Sequence, residues 1–146
     1  LILIRIGNTR QFTETARRLQ TASRELRSEF YRGINRATNP LKENVRQSAR
    51  DRLPRSGGLG RRVAKSKIVT RRRMSGKNAG VRIVGTSGYD IGSINRGRVR
   101  HLTYGHLPWS DQAVKPGFWT EPLVAGAPEA RREIQQVMDG LKKKLK

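Results

Sequence analysis

The chain has 146 residues, of which 34% are hydrophobic, and it carries 32 Lys and Arg against 11 Asp and Glu, a net charge of +21. That length fits one domain over residues 1–146 with a modest core, and the charge opposes a compact monomer unless an acidic partner or neighbouring subunits relieve it. With no Cys, disulfides, thiolate metal sites and cysteine nucleophiles are excluded.

Leu1–Ile6 is a short apolar, β-branched run ending at Gly7-Asn8, which reads as a strand; it is too short for a membrane span. Apolar residues then recur at Phe12, Ala16, Leu19, Ala22, Leu26, Phe30, Ile34, Ala37, Leu41, Val45 and Ala49. Steps of three or four residues place all of them on one helical stripe. The pattern predicts one long helix from about Arg10 to about Arg52, with Thr9 as its N-cap and a kink at Gly33 and Asn39-Pro40. The competing arrangement is an antiparallel helical hairpin broken near Pro40. A single helix of that length exceeds what one small domain needs and is expected to reach a neighbouring subunit.

Leu53–Arg62 (LPRSGGLGRR) reads as a mobile, cationic loop, because Pro and three Gly fall within ten residues. Arg61–Met74 and Gly80–Gly85 read as strands, Tyr89–Gly97 as a short helical turn and Arg98–Leu102 as a third strand. Thr103–Trp119 reads as irregular, with a type II turn at Pro116-Gly117. Pro122 argues against a long element at its position. A C-terminal helix is expected from Pro128 as a first-turn residue, with the stripe Ala130, Ile134, Val137, Leu141 and Leu145 and basic residues at its end. The fold class is therefore α+β: a long kinked N-terminal helix and a C-terminal helix on a small, mainly antiparallel sheet.

The search for catalytic chemistry yields little. His101 and His106 lie five residues apart, which on a strand points them to opposite faces, and no acidic cluster adjoins them. Ser87, Ser93, Ser110, Asp90 and Asp111 lack a nucleophile-elbow context and read as turn and capping residues. Gly76-Lys77 lacks the glycine that a phosphate loop needs five positions earlier, since residue 71 is Arg. No catalytic residue, cofactor or metal site is expected.

Charge is the stronger signal. Between Asp51 and Asp90 lie eleven Lys and Arg and no acid. Arg55, Arg61, Arg62, Lys65, Lys67, Arg71, Arg72 and Arg73 are candidates for contact with an adjacent subunit or with DNA phosphates. On an extended strand Lys65, Lys67, Arg71 and Arg73 share a face. No aromatic lies between Tyr31 and Tyr89, so the stacking platform of single-strand binders is missing. The aromatics Tyr104, Trp109, Phe118 and Trp119 are candidates either for a core plug or for a subunit-interface anchor.

Three segments carry a family resemblance: LPRSGGLGRRVAKSKI (Leu53–Ile68), INRGRVRHLTYG (Ile94–Gly105) and VKPGFWTEPL (Val114–Leu123). With the long first helix and the closing ARREIQQVMDGL helix, their order resembles the tail-component family of long-tailed bacteriophages, the neck or tail-completion proteins. The chain departs from that pattern at Leu102, which follows His101 where family members often carry Pro. The resemblance implies a structural virion protein without cofactor or active site. It implies a homo-oligomeric ring, six-fold by preference, between head connector and tail tube, with adjacent neck, connector and tail-tube proteins as partners and phage DNA in the channel. Assembly is expected in the host cytoplasm, with the virion tail or neck as final location. In this picture Leu19, Leu26, Phe30, Ile34, Leu41 and Val45 pack on the sheet and the C-terminal helix, while Arg55–Arg62 clasps an adjacent ring or faces the channel. The alternatives are a basic nucleic-acid-binding protein of ribosomal or nucleoid type and a tail terminator ring; an enzyme ranks last.

Overall fold

The computed structural model describes residues 9–76, 79–86, 88–103 and 106–145. The strand expected over Leu1–Ile6 lies outside them. In chain order the elements are α1 (Thr9–Leu19), α2 (Arg24–Arg52), a 3-10 turn (Ser56–Gly58), α3 (Leu59–Ala64), β1 (Ile68–Arg73), β2 (Gly80–Gly85), α4 (Ile91–Asn95), β3 (Arg98–Thr103), β4 (His106–Ala113) and α5 (Thr120–Lys144). The α+β class stands. The sheet is in fact two separate antiparallel pairs, β1–β2 and β3–β4.

The single long helix is two. The chain leaves helical geometry after Leu19 and re-enters at Ser23, an N-cap in extended conformation whose Oγ accepts from the Leu26 N–H at 3.3 Å. Apolar spacing could not reveal this break, because Leu19, Ala22 and Leu26 keep steps of three and four across it. Thr9 is the first helical residue and not the cap. Pro40 breaks nothing: α2 runs through both Gly33 and Pro40. Two residues before Pro40, the buried Thr38 hydroxyl donates to Ile34 O at 3.0 Å and meets Thr70 Oγ1 at 2.9 Å, tying α2 to β1.

α5 begins eight residues earlier than Pro128 predicts. Pro122 is its third residue, where no intrahelical N–H bond is due, and so carries no penalty. Pro128 stands inside the helix and cannot donate to the carbonyl of the exposed Val124 one turn earlier.

α2 and α5 pack antiparallel along most of their length. Gly33 of α2 receives Val137 of α5 so closely that a Cβ there would lie 2.7 Å from both Val137 methyls. Gly126 of α5 likewise receives Leu41 of α2, whose Cδ2 methyl a Cβ there would overlap. Each helix thus offers a notch to a branched side chain of the other. At the ends, Arg52 pairs with Glu121, and Lys144 Nζ pairs with Glu29 Oε1 at 2.9 Å. The Lys144–Glu29 pair is exposed enough to add little stability, whereas Arg52 is half-buried; both pairs join a basic helix C-terminus to an acidic residue toward the other helix's N-terminus.

One continuous core results. Phe30, Ile34, Ala37, Leu41, Val45 and Ala49 of α2 are buried with Leu123, Ala130, Ile134, Met138 and Leu141 of α5. Val81 and Ile83 of β2 close it from the sheet side, and α1 folds back to add Phe12, 5.7 Å from the Phe30 ring. The long-helix stripe is therefore satisfied within its own chain, contrary to the expectation that it must reach a neighbour.

The Leu53–Arg62 stretch also differs from its expected form. It folds into the 3-10 turn and α3, which buries Gly60, Val63 and Ala64. Gly60 sits against the end of α2, where a Cβ would come within 2.8 Å of Ala49 O. Its glycine reflects close approach to α2, not a floppy loop. The segment from Arg61 to Lys67, expected as strand, is α3 and its exit, and β1 starts only at Ile68.

Candidate interaction sites on the surface

The eight cationic candidates are all exposed and, among the described residues, none is in an ion pair. The structure divides them into three groups. Arg61 and Lys65, four residues apart on α3, join Arg55 and Arg50 around a groove of about 610 Å³ against the end of α2. Arg62 points away from that groove; its Nη2 donates to Gly57 O at 2.8 Å and lines the opposite cleft. Lys67, Arg71, Arg72 and Arg73 follow the β1 alternation. Ile68 is buried, Thr70 bonds Thr38 and the Arg72 guanidinium lies 4.1 Å from the Tyr31 ring centre, so this set faces α2. Lys67, Arg71 and Arg73 occupy the outer face. Lys65 does not share it, since it belongs to the end of α3.

Arg82 was not among the candidates, yet β2 places it directly opposite Arg71. Two like charges across an antiparallel pair oppose the pairing. The signal was present in the sequence as a lone Arg within an apolar strand, but the register that makes it a neighbour of Arg71 was not.

The second site is the β3–β4 ribbon, expected to be irregular after Thr103 but paired from Arg98↔Ala113 to Thr103↔His106 with a register shift next to Leu102. Pro108 stands inside β4. Where side chains are described, none from Arg98 to Ala113 is buried. Leu107 is 75% exposed and Trp109 52%. The Arg100 guanidinium lies 5.5 Å from the Trp109 ring centre, and Arg98 pairs with Asp111 at 2.9 Å. Between ribbon and body opens a cleft of about 690 Å³ lined by Arg62, Arg96, Arg98, Arg100, Tyr89 and Trp109, among others.

The four aromatic candidates therefore separate. Phe118 and Trp119 are core residues, in edge-on contact at 6.2 Å. Trp109 is presented to solvent, and Tyr104 lies outside the described residues.

The ribbon is rooted by a residue that sequence reasoning passed over. Asn95, the last residue of α4, accepts through Oδ1 from the backbone N–H groups of Trp119 and Thr120, both at 3.0 Å. Its Nδ2 donates to Thr120 Oγ1 at 2.7 Å, and its carbonyl accepts from Gly117 N at 2.8 Å. Trp119, the N-cap position of α5, has no capping side chain of its own, so Asn95 caps the helix from elsewhere in the chain. At the same root Val114 N donates to Gly97 O at 2.9 Å. Gly97 (φ +96°) and Gly117 (φ +88°) adopt the left-handed conformations that let the chain leave and re-enter the body here.

Asp90 caps α4. Its carboxylate accepts from Ser93 N at 3.1 Å and Ser93 Oγ at 2.8 Å, bonds that hold it below the usual carboxylate range. On α2, burial lowers the Lys42 pKa from 10.5, with help from the nearby Arg46 charge. His101 is exposed, and no group of three or more His, Asp or Glu converges to hold a metal ion among the described residues. Nor is any described helix long and apolar enough to cross a membrane. No protein-family model matches the chain, and no curated protein or solved structure matches it.

Proposed function

We propose that the chain is a structural subunit of a phage neck, where identical copies join head to tail through the Arg98–Ala113 ribbon into a ring between head connector and tail tube. The observation that carries the assembly half of this reading is the ribbon itself. An isolated two-stranded ribbon is marginally stable in water, and it leaves two strand edges open to pair with another chain. Here the ribbon also leaves Leu107 and Trp109 exposed in its far half, Trp109 at the mouth of the cleft. Aromatic anchors of this kind dominate subunit contacts, and a heterologous contact closes into a ring when its rotation permits. The three sequence segments that resemble the tail-component family supply the place of the ring in the virion. The ribbon takes over the role that the long first helix was expected to play.

Light scattering and negative-stain images of the purified chain test the assembly. Closed rings are expected for the natural sequence. The substitution Trp109→Ala should leave thermal unfolding within about 0.5 kcal/mol of the parent, as for an exposed site, while shifting the particles toward monomer. A strict monomer at every concentration, or rings indifferent to Trp109→Ala, would count against the ribbon as the joint. For the virion location, rings should attach to isolated heads or tails of the parent phage; failure to attach to either would remove the neck assignment while leaving self-assembly standing.

A further inference from the structure

We infer that the outer face of the β1–β2 sheet is a sequence-independent binding surface for the phosphate backbone of duplex nucleic acid, formed by Lys67, Arg71, Arg73 and Arg82. Strand alternation directs Lys67, Arg71 and Arg73 to one face, and the register Arg71↔Arg82 adds a fourth cation from the neighbouring strand. The inner face of the same strand is spent on the body, through Ile68, the Thr70 hydroxyl and the Arg72–Tyr31 contact. None of the four outer cations is in an ion pair among the described residues, and the sequence supplies no acid between Asp51 and Asp90 to provide one. A like-charged cross-strand pair works against its own sheet, and a polyanion bridging both guanidinium groups turns that repulsion into attraction.

The chemistry of the ligand follows from what the face lacks. Alternate residues on a strand recur about every 6.7 Å, and a duplex presents a phosphate charge about every 1.7 Å of its axis. A line of cations therefore finds partners at any register. The aromatic ring in contact with a β1 cation, Tyr31, lies on the inner side under Arg72. Bases have no platform to stack on, which favours duplex over single strand. An acidic protein is the less fitting partner, because protein interfaces are built around an apolar or aromatic centre depleted of charge. The outer face does hold the Val69–Val84 pair, but Val84 is buried and the two strands contribute no aromatic, whereas the exposed apolar anchors Leu107 and Trp109 are on the ribbon.

This inference stands apart from ribbon-mediated assembly, since its readout is binding and not oligomeric state. The experiment is fluorescence anisotropy of a random-sequence DNA duplex titrated with the full chain at several salt concentrations. The expected contribution of four phosphate contacts is about −3.6 in the slope of log affinity against log salt, or roughly a hundredfold loss between about 50 and 200 mM. The quadruple variant K67A/R71A/R73A/R82A should flatten that slope by about 3 to 4. A charge-matched control, R17A/R36A/K142A/K143A, removes exposed cations elsewhere and should retain most of the slope. The single variants R71Q and R73Q, each expected to lower the slope by about 1, keep the test decisive if the quadruple variant folds poorly. Absence of duplex binding by the parent chain overturns the proposal. So does an equal slope in parent and quadruple variant, or an equal loss in the control. Tighter binding of single strands, or of polyglutamate through the same four residues, also overturns it and assigns the face to a different partner.

Discussion

The α2–α5 pair and the β3–β4 ribbon are built on opposite principles. In the helical pair the apolar stripes are buried against each other inside the chain, with Val124 left exposed, and even two glycines serve as notches for the facing helix. In the ribbon the backbone is paired but no described side chain is buried. The difference teaches where to look for stability and where for association. An element whose side chains are already satisfied is a scaffold, whatever its length. One whose backbone alone is satisfied has side chains left to offer.

The largest expected effect breaks this comparison if it fails. Phe30→Ala empties a fully buried site between α1, α2 and α5 and should cost about 3–5 kcal/mol in chemical denaturation. A loss no greater than that of Trp109→Ala would mean that the two regions are not different in kind. Gly126→Ala comes next. The added methyl meets Leu41 in a packed core, an overpacking cost of about 1–3 kcal/mol, of which a gain of up to about 1 kcal/mol in helix propensity is returned. Net destabilisation is expected; a stabilised variant would show that the helices can part at no cost. Asn95→Ala removes the cap of α5 and should cost about 1–2 kcal/mol. Hydrogen exchange should place the loss in the first turn of α5 and in the root of the ribbon together.

The smallest effect concerns acid. Because the Asp90 carboxyl has a lower pKa in the folded chain than in the unfolded one, its contribution is present above the ordinary carboxylate pKa. It is lost as pH falls through the folded value. Asp90→Asn should therefore flatten the acid limb of the stability profile slightly, with the change confined to pH below the usual carboxylate range. An unchanged limb would place the acid sensitivity elsewhere.

Much of the scaffold was legible in the sequence. The apolar stripe from Phe12 to Ala49 named the buried face of α1 and α2 almost residue by residue, and β2, α4 and β3 fell where their composition put them. What the stripe could not show was its own interruption, since the break at Gln20–Ser23 preserves the spacing; the Ser23-Arg24-Glu25 start signal was the available clue. Proline misled at the start of α5, at Pro122 and Pro128, because its cost depends on where the helix starts, and that start is fixed by Asn95 from another element. Glycine misled in Leu53–Arg62, where Gly60 serves contact with Ala49 O. Of the interaction surfaces, the charge was visible at once, but its division into three faces and the arrival of Arg82 needed strand register. The ribbon was half visible: β3 was read, while Pro108 hid β4.

The anchoring of the ribbon at Asn95 makes one side chain common to two structures. The residue whose side-chain amide starts the C-terminal helix also accepts from Gly117 through its backbone carbonyl, two residues before the arm departs at Gly97. A tug on the arm is thereby delivered to the first turn of α5, and through the Arg52–Glu121 contact to the far end of α2. Whatever grips the arm is coupled to the rigid frame by a joint three residues wide at its entry, from Asn95 to Gly97.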